Sequence, residues 1–297
     1  MSFKIGVMIE SFRKSPREGL RLARDSGAEG FQLSVGSGEM TPETMDKAAR
    51  VRFRDCSMAL GMEASALCGD LGGHGFERAD DNPAKIARSK KIVDLAVDLG
   101  TSVVTTHIGV IPDDKRSAVY KTMQQACQEL GEYAASKKVI FAVETGPETA
   151  VLLKQFLDSL KVKGIGVNLD PANLVMVTGD DPVDAVNTLA PYIVHTHAKD
   201  GRQLKPCDRF EVYNAFAEGG FDALVERMGK LFEETPLGEG AVNWKAYLSA
   251  LEKIGYKGYL TIERETGTNP AQDIRKAVAF LRAIGVKSRQ TVLLKKS

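Results

Sequence analysis

His195-Thr196-His197-Ala198-Lys199-Asp200 decides the fold when it is read beside three other stretches: Phe141-Ala142-Val143-Glu144, Val167-Asn168-Leu169-Asp170 and Leu260-Thr261-Ile262-Glu263-Arg264-Glu265. Each carries an apolar or β-branched run and finishes in a carboxylate or an imidazole. A buried parallel strand reads as a continuous apolar run. A charge at its C-terminal tip, just before the loop, stands where α/β barrels place their chemistry. Side chains alternate faces along a strand. One face therefore carries Ala142 and Glu144, Asn168 and Asp170, His195, His197 and Lys199, and Thr261, Glu263 and Glu265. The other carries Phe141 and Val143, Val167 and Leu169, Val194 and Thr196, and Leu260 and Ile262, a set suited to packing beneath helices. If the strands close into a barrel, the first set turns toward the axis. Two Glu, one Asp and one His then converge at one mouth as an oxygen-rich metal site.

Working outward from these tips, apolar runs alternate with amphipathic ones. Strands are predicted over 4–9, 28–34, 62–67, 102–107, 139–144, 164–170, 192–198 and 258–263. Helices are predicted over 15–26, 41–61, 83–100, 113–136, 147–160, 182–189, 243–254 and 270–284. Thr41-Pro42-Glu43 reads as a helix start, with Thr41 as N-cap and Pro42 in the first helical position. Strict alternation without a linker implies parallel strands joined by right-handed crossovers. The predicted fold is α/β, a closed (β/α)8 barrel in a single domain over 1–297. An open dinucleotide-binding sheet needs Gly-x-Gly-x-x-Gly after its first strand. That turn here reads Glu10-Ser11-Phe12-Arg13-Lys14-Ser15, and the glycine-rich run 69–75 follows the third strand instead. One irregularity interrupts the pattern: residues 201–241 separate the seventh strand from the next helix. Helical periodicity over 210–216 and 221–232 predicts a helical insertion at the C-terminal face. It suits a lid or substrate-selecting wall, or a surface that packs on a partner subunit. The tail 290–297 carries Val292-Leu293-Leu294, suited to packing beneath the barrel or on another subunit.

Composition narrows the function classes. A formal net charge of +1 supplies no general attraction to nucleic acid or to an acidic membrane. No stretch approaches the roughly 18 apolar residues of a membrane span. Met1-Ser2-Phe3-Lys4-Ile5-Gly6 lacks the apolar core and cleavage site of a signal peptide. Cys56, Cys68, Cys127 and Cys207 are scattered without a Cys-x-x-Cys pair, as expected of reduced thiols in a cytoplasmic protein.

The order Glu144, Asp170, His197, Glu263 resembles that of the xylose isomerase-like TIM barrels. More narrowly, it is similar to the sugar isomerase/epimerase branch that includes ketose 3-epimerases and inosose dehydratases. The resemblance runs from Lys4 to about Ile284 and is supported by Thr105-Thr106-His107-Ile108-Gly109, Pro236-Leu237-Gly238-Glu239-Gly240 and Asn243-Trp244. It implies one divalent ion, Mn²⁺ first and Mg²⁺, Co²⁺, Fe²⁺ or Zn²⁺ otherwise, held by Glu144, Asp170, His197 and Glu263. It also implies that Glu144 and Glu263 are the acid–base pair on opposite faces of the substrate carbon. The chemistry agrees, since carboxylates with one imidazole suit such ions. An ion there polarises a carbonyl and stabilises the enediolate left when a neighbouring C–H loses its proton. His107, Asn173, Lys199 and Arg202 are the candidate substrate contacts. Asn173 is a departure, because many epimerases of the branch place His at that position. An amide hydrogen-bonds but does not titrate near neutrality.

Each residue also has a plainer reading. Glu144 could be a solvated strand end, and Asp170 could merely cap the turn at Pro171. Glu263 could pair with Arg264, and His195, one layer deeper than His197, suits a satisfied core histidine. Arg264, Glu10 and Glu148 are weaker candidates, and Trp244 suits packing at a helix start. The function expected first is a divalent-metal-dependent isomerase or 3-epimerase of a ketose or related keto-polyol. A dehydratase or lyase acting on a keto-sugar or inosose is the alternative, since the same metal and glutamates begin either reaction. An apurinic endonuclease is remote: it needs several more histidines than the four present. The expected partner is a small sugar, with neither nucleic acid nor membrane, and a homo-oligomer fits as well. No phosphate-binding glycine loop follows the seventh or eighth strand, which favours an unphosphorylated substrate.

Overall fold

The computed structural model describes residues 3–287. Its strands are β1 (Lys4–Met8), β2 (Gly30–Ser34), β3 (Glu63–Cys68), β4 (Val103–Thr106), β5 (Ile140–Glu144), β6 (Ile165–Leu169), β7 (Ile193–Ala198), β8 (Asp200–Gln203), β9 (Phe232–Thr235) and β10 (Tyr259–Ile262). Its helices are α1 (Pro16–Asp25), α2 (Lys47–Ala59), α3 (Asn82–Leu99), α4 (Ala118–Ser136), α5 (Ala150–Asp158), the single turn α6 (Pro171–Asn173), α7 (Pro182–Leu189), α8 (Arg209–Glu218), α9 (Phe221–Met228), α10 (Trp244–Lys253) and α11 (Pro270–Ala283). Eight strands close into a parallel barrel in the order β1-β10-β7-β6-β5-β4-β3-β2. The outward faces are apolar. Phe141, Val143, Val167, Leu169 and Leu260 are fully buried among Leu130, Phe156, Tyr247 and Leu251 of the surrounding helices.

The helix starts follow local chemistry. Asp46 Oδ1 accepts the Ala49 N–H at 2.6 Å, Ser117 Oγ accepts that of Tyr120 at 3.1 Å and Thr149 Oγ1 that of Leu152 at 3.3 Å. These caps correct three predicted starts. The helix expected from residue 41 begins at Lys47, because the Thr44 hydroxyl bonds the Glu39 carbonyl at 2.8 Å and receives the Thr41 N–H at 3.0 Å. Such side-chain bonds compete with the helical ladder. Likewise α4 begins five residues after position 113, behind Ser117, and α5 three residues after position 147, behind Thr149.

Two bulges modify the simple alternation of faces. Gln32 pairs with Ala66 while Phe31 pairs with Ala64, so Ser65 is an extra residue in β3. Asn168 pairs with His195 while Val167 pairs with Ile193, so Val194 is extra in β7. A bulge opposes two residues to one and re-aims the side chains beside it. Val194, expected under the helices, therefore packs with Ala66, Val103 and Ala142 in a small cluster of its own.

After β7 the chain leaves the barrel. β8 and β9 pair antiparallel, Asp200 opposite Thr235 and Gln203 opposite Phe232, and α8 and α9 lie between them. This ribbon was not foreseen, because four-residue strands ending in Arg-Gln and Glu-Glu-Thr carry no apolar alternation. Val212, Leu224 and Leu231 of this excursion share a core with Ala172, Met176 and Val177, next to the π-helical turn Leu174–Thr178. Asp200 anchors its return. Its Oδ1 accepts from Gly201 and Val242 N–H, and its Oδ2 from Gly238 N–H and Trp244 Nε1–H, all within 3.2 Å. The tail 290–297 lies outside the described residues. No helix among the described residues is long and apolar enough to cross a membrane.

Helix and barrel touch backbone to backbone at Gly164, just before β6. A Cβ there would stand 2.0 Å from the Gly131 carbonyl oxygen and 2.5 Å from the Ala135 nitrogen of α4. Neither atom can rotate away, so Gly164→Ala is expected to lower stability by about 1–3 kcal/mol through overpacking. Urea unfolding checks this; an unchanged midpoint would show that α4 yields freely.

Candidate metal centre and active site

Glu144 ends β5, Asp170 follows β6, His197 lies on β7 and Glu263 follows β10. One ligand atom from each of the four falls within 4.8 Å of the others. Glu144 Oε1, Asp170 Oδ2 and Glu263 Oε2 stand 3.4, 3.3 and 3.2 Å from His197 Nδ1. All four residues are buried or nearly so, with Asp170 and His197 essentially inaccessible. The donor set is three carboxylates and one imidazole nitrogen on a common point, which fits a divalent ion of the Mn²⁺, Mg²⁺, Fe²⁺ or Co²⁺ kind.

Each of the four side chains is held by its own support. Asp170 Oδ1 caps the turn through Ala172 and Asn173 N–H at 2.8 and 3.0 Å, and its Oδ2 stands with the other three groups of the cluster. Thr145 Oγ1 donates to the Asp170 carbonyl at 3.0 Å and accepts its N–H at 2.8 Å, clamping the strand tip. Glu144 Oε2 accepts from Asn168 Nδ2 at 3.1 Å, and Oε1 from Asn173 Nδ2 at 3.4 Å. Glu263 Oε2 accepts from Lys199 Nζ at 3.1 Å, while Arg264 turns to Glu234 and to Asp273. Thr261 Oγ1 and Asn168 Oδ1 bracket His195 at 3.0 and 2.8 Å, so His195 is a satisfied core residue. Burial, with charge on His197, pushes its pKa well down and keeps it neutral.

Electrostatics concentrate negative charge at this point. Burial opposes charge on His197, yet Glu144 and Glu263 raise its proton affinity well above the usual imidazole range. The field that holds a proton on Nδ1 would equally hold a cation. Burial alone would raise the Glu144 pKa, but His197 and His107 hold it below the usual carboxylate range. His107 is pushed up to about 10: burial opposes this, and Glu144 and Asp70 overcome it. Its Nδ1 lies 3.1 Å from Asp70 Oδ2, and its Nε2 4.0 Å from Glu144 Oε1.

A cavity of about 410 Å³ opens above the four ligands. Glu144 and Glu263 form part of its floor, with His107, Asn173 and Lys199 beside them. Three of the four sequence-predicted substrate contacts are therefore brought together. Arg202 is not: it points off the ribbon, half exposed, with Nε 3.6 Å from Glu233 Oε2. It lies on β8 opposite Glu233, where the ribbon has turned away from the barrel. Sequence reasoning missed Tyr213, Phe216 and Phe232, which form the apolar wall, and Cys68 and Asp70 on the opposite side. It also missed Gln32, whose Oε1 lies 3.0 Å from His197 Nε2. The parity of β2 carried the signal for Gln32; nothing in the sequence placed Tyr213. The insertion reaches across to the loop after β3, where Glu218 Oε1 lies 3.2 Å from His74 Nε2.

The sequence model of the xylose isomerase-like TIM barrel family matches residues 20–284. An inosose dehydratase of Lacticaseibacillus casei is 25% identical over 142 residues, covering 47% of this chain and 44% of that protein. This chain thus aligns with less than half the length of that curated relative. A solved xylose isomerase domain protein from Planctomyces limnophilus superposes with a TM-score of 0.76 at 25% identity, covering 95% of this chain and 96% of that one. A D-psicose 3-epimerase from Clostridium cellulolyticum H10, solved with D-tagatose, gives a TM-score of 0.71 at 14% identity, covering 96% of this chain and 100% of that one. At that identity the likeness is one of fold.

Two further acids lie buried near the mouth without lining the cavity. Glu10 is pushed up to about 7 by burial, against the pull of its own backbone and of the Ser34 N–H. The Glu148 carboxylate is fully buried, with the Ile111 backbone as at most a marginal hydrogen-bond neighbour. Burial pushes it up to about 8, against the pull of Arg209 and His107. Below the ordinary value of 4.5, folded and unfolded chains both hold this proton. As pH rises toward 8 the unfolded chain releases it and the folded chain keeps it, so stability falls by up to about 1.4 kcal/mol per pH unit. Glu148→Gln removes that slope. The stability of the variant relative to the wild type is expected to rise steadily from pH 5 to pH 8 in urea titrations. A constant difference would show that Glu148 is ionised in the folded protein.

Proposed function

The chain belongs to the xylose isomerase-like TIM barrel family, and from that premise we propose that it is a divalent-metal-dependent isomerase or 3-epimerase of a ketose or related keto-polyol. The observation that carries this reading is the convergence of Glu144, Asp170, His197 and Glu263 beneath a cavity of sugar size. Those four residues would hold the ion, Mn²⁺ by preference. When bound, the ion supplies Lewis acidity: it polarises the substrate carbonyl and offsets the negative charge that grows as the adjacent C–H is broken.

The remaining work falls to the chain. Glu144 and Glu263 reach the centre from well-separated strands and are the only carboxylates of the ligand set that also line the cavity. Glu263 takes the proton from the carbon beside the carbonyl, leaving an enediolate, and Glu144 passes a proton drawn from the adjacent His107 to the opposite face. Lys199, bonded to Glu263, keeps that carboxylate ionised and oriented. Asn173 serves as a neutral donor beside Glu144, and His107, steadied by Asp70, presents Nε2 toward substrate hydroxyls. Tyr213, Phe216 and Phe232 cover the site and exclude water from the exposed carbanion equivalent.

A second reading shares the first step. In a dehydratase, the carbanion equivalent expels a hydroxyl from the next carbon as water, taking a proton from an acid instead of recovering one on carbon. His107 at the cavity wall is the group suited to donate it, and the partial likeness to inosose dehydratases favours this outcome.

Purified protein is expected to hold about one Mn, Co, Fe, Mg or Zn per chain by elemental mass spectrometry, and a Glu144→Gln, Glu263→Gln double variant to lose it. Incubated with ketoses and inososes in D₂O, the wild type is expected to introduce deuterium beside the carbonyl, and either single variant to slow this by about 10²–10⁴-fold. A product of unchanged skeleton identifies the isomerase or epimerase, and one lighter by a water identifies the dehydratase. Failure to retain any divalent metal after incubation with Mn²⁺ would refute both.

A further inference from the structure

We infer that Gln32 is a positioning residue that commits His197 to presenting the lone pair of Nδ1, rather than Nε2, at the centre; the inference rests on the metal-site reading above. The two nitrogens of His197 face unlike surroundings. Nδ1 meets three carboxylate oxygens within 3.4 Å. Nε2 points the other way, into the barrel, where it meets two amides. Gln32 Oε1, an acceptor, lies at 3.0 Å, and Asn168 Nδ2, a donor, at 3.2 Å.

These two neighbours ask for opposite tautomers. A hydrogen on Nε2 satisfies Gln32, leaving Nδ1 a free lone pair for a cation. A lone pair on Nε2 satisfies Asn168, which moves the hydrogen to Nδ1 and turns it against the cation. Gln32 decides the contest because its Oε1 faces Nε2 while the other end of its amide is engaged by Thr105. Its Nε2 donates to Thr105 Oγ1 at 3.0 Å, and the side chain is fully buried. Asn168 has other duties: its Nδ2 donates to Glu144 Oε2 at 3.1 Å, and its Oδ1 faces His195 Nδ1 at 2.8 Å. The contact to His197 is thus the one it can forgo. The bulge at Ser65 sets Gln32 opposite Ala66, and Ser65 Oγ ties the bulge to the Phe31 carbonyl at 2.9 Å. A metal-bound histidine whose far nitrogen loses its acceptor commonly gives up about 10–100-fold in metal affinity.

The test uses full-length protein stripped of metal and titrated with Co²⁺, with its visible spectrum recorded. Gln32→Leu is expected to bind Co²⁺ about 10–100-fold more weakly than the wild type and to shift the ligand-field bands. Gln32→Glu, which keeps an acceptor on Nε2 with the Thr105 hydroxyl turned to donate, is expected to stay within about threefold of the wild type. Long-range ¹H–¹⁵N spectra of ¹⁵N-histidine-labelled wild type, loaded with Zn²⁺, are expected to show His197 protonated at Nε2 and metallated at Nδ1. They need no variant, so they decide the point even where Gln32→Leu does not fold. Wild-type binding with Nδ1 protonated, or a folded Gln32→Leu that matches the wild type in affinity and spectrum, would overturn the role of Gln32 and leave the metal site standing. A wild type that binds neither Co²⁺ nor Zn²⁺ would overturn the site itself, and the role of Gln32 with it.

Discussion

The constraint on which the site depends is the burial of three carboxylates around one imidazole nitrogen. Removing a carboxylate from water costs on the order of several kcal/mol even after relaxation, and crowding three together adds repulsion. Hydrogen bonds from Asn168, Asn173 and the Ala172 N–H offset part of this, and Lys199 offsets more through Glu263 and Glu265. What these leave is an excess of negative charge focused on the face of His197 Nδ1. A divalent cation is the complement of that excess in charge, size and donor type. The same arrangement explains why His107 and His197 both hold protons tightly: the proton serves as a weaker substitute for the cation.

A second consequence concerns the layer beneath. A ligand set survives burial only if every polar atom behind it is satisfied, since a half-satisfied network is worse than an apolar core. From Thr261 through His195 and Asn168 to Glu144, and from Thr105 through Gln32 to His197, the barrel interior supplies those partners from β2, β4, β6, β7 and β10. The apolar cluster of Ala66, Val103, Ala142 and Val194 lies among the same strands. The bulges at Ser65 and Val194 adjust the register of β3 and β7 so that these partners meet. Position of the chemistry is thus fixed by strand pairing, and loops only complete it.

That division explains what the sequence made legible. Strand tips ending in Glu144, Asp170, His197 and Glu263 could be read by parity, because period-two alternation holds wherever a strand is buried. His195 as a core residue followed from the same count. Val194 did not, because a bulge leaves no compositional mark when both flanking residues are compatible with either face. The start of α2 was misread for a related reason: Thr41 and Thr44 bond each other and the backbone in a turn that imitates a cap, while the working cap is Asp46. Arg202 stands on the ribbon beside Glu233, half exposed, and no pattern in the sequence distinguished that place from one at the cavity. Tyr213, Phe216 and Phe232 were beyond reach, since their place at the mouth depends on how α8 and the ribbon strand β9 fold back over the barrel.

The ribbon also separates what the site does from what it accepts. All four candidate ligands, which include both candidate acid–base residues, stand on or immediately after barrel strands, tied into the interior by buried hydrogen bonds. The apolar wall of the cavity comes from the excursion, whose Val212, Leu224 and Leu231 pack on Ala172, Met176 and Val177 after β6, with the Asp200 anchor at its return. Changes within α8 and α9 can therefore reshape the cavity while the centre stays intact. Asp200 is the exception, being three residues from His197 and holding Gly238 and Trp244 at once. Its four accepted hydrogen bonds close a loop of backbone around a single carboxylate. A Cβ on Gly240 would fall 2.0 Å from its Oδ1, which is why the turn there is glycine. Asp200, two residues beyond the end of β7, thus ties the return of the excursion to the start of β8, close in sequence to His197.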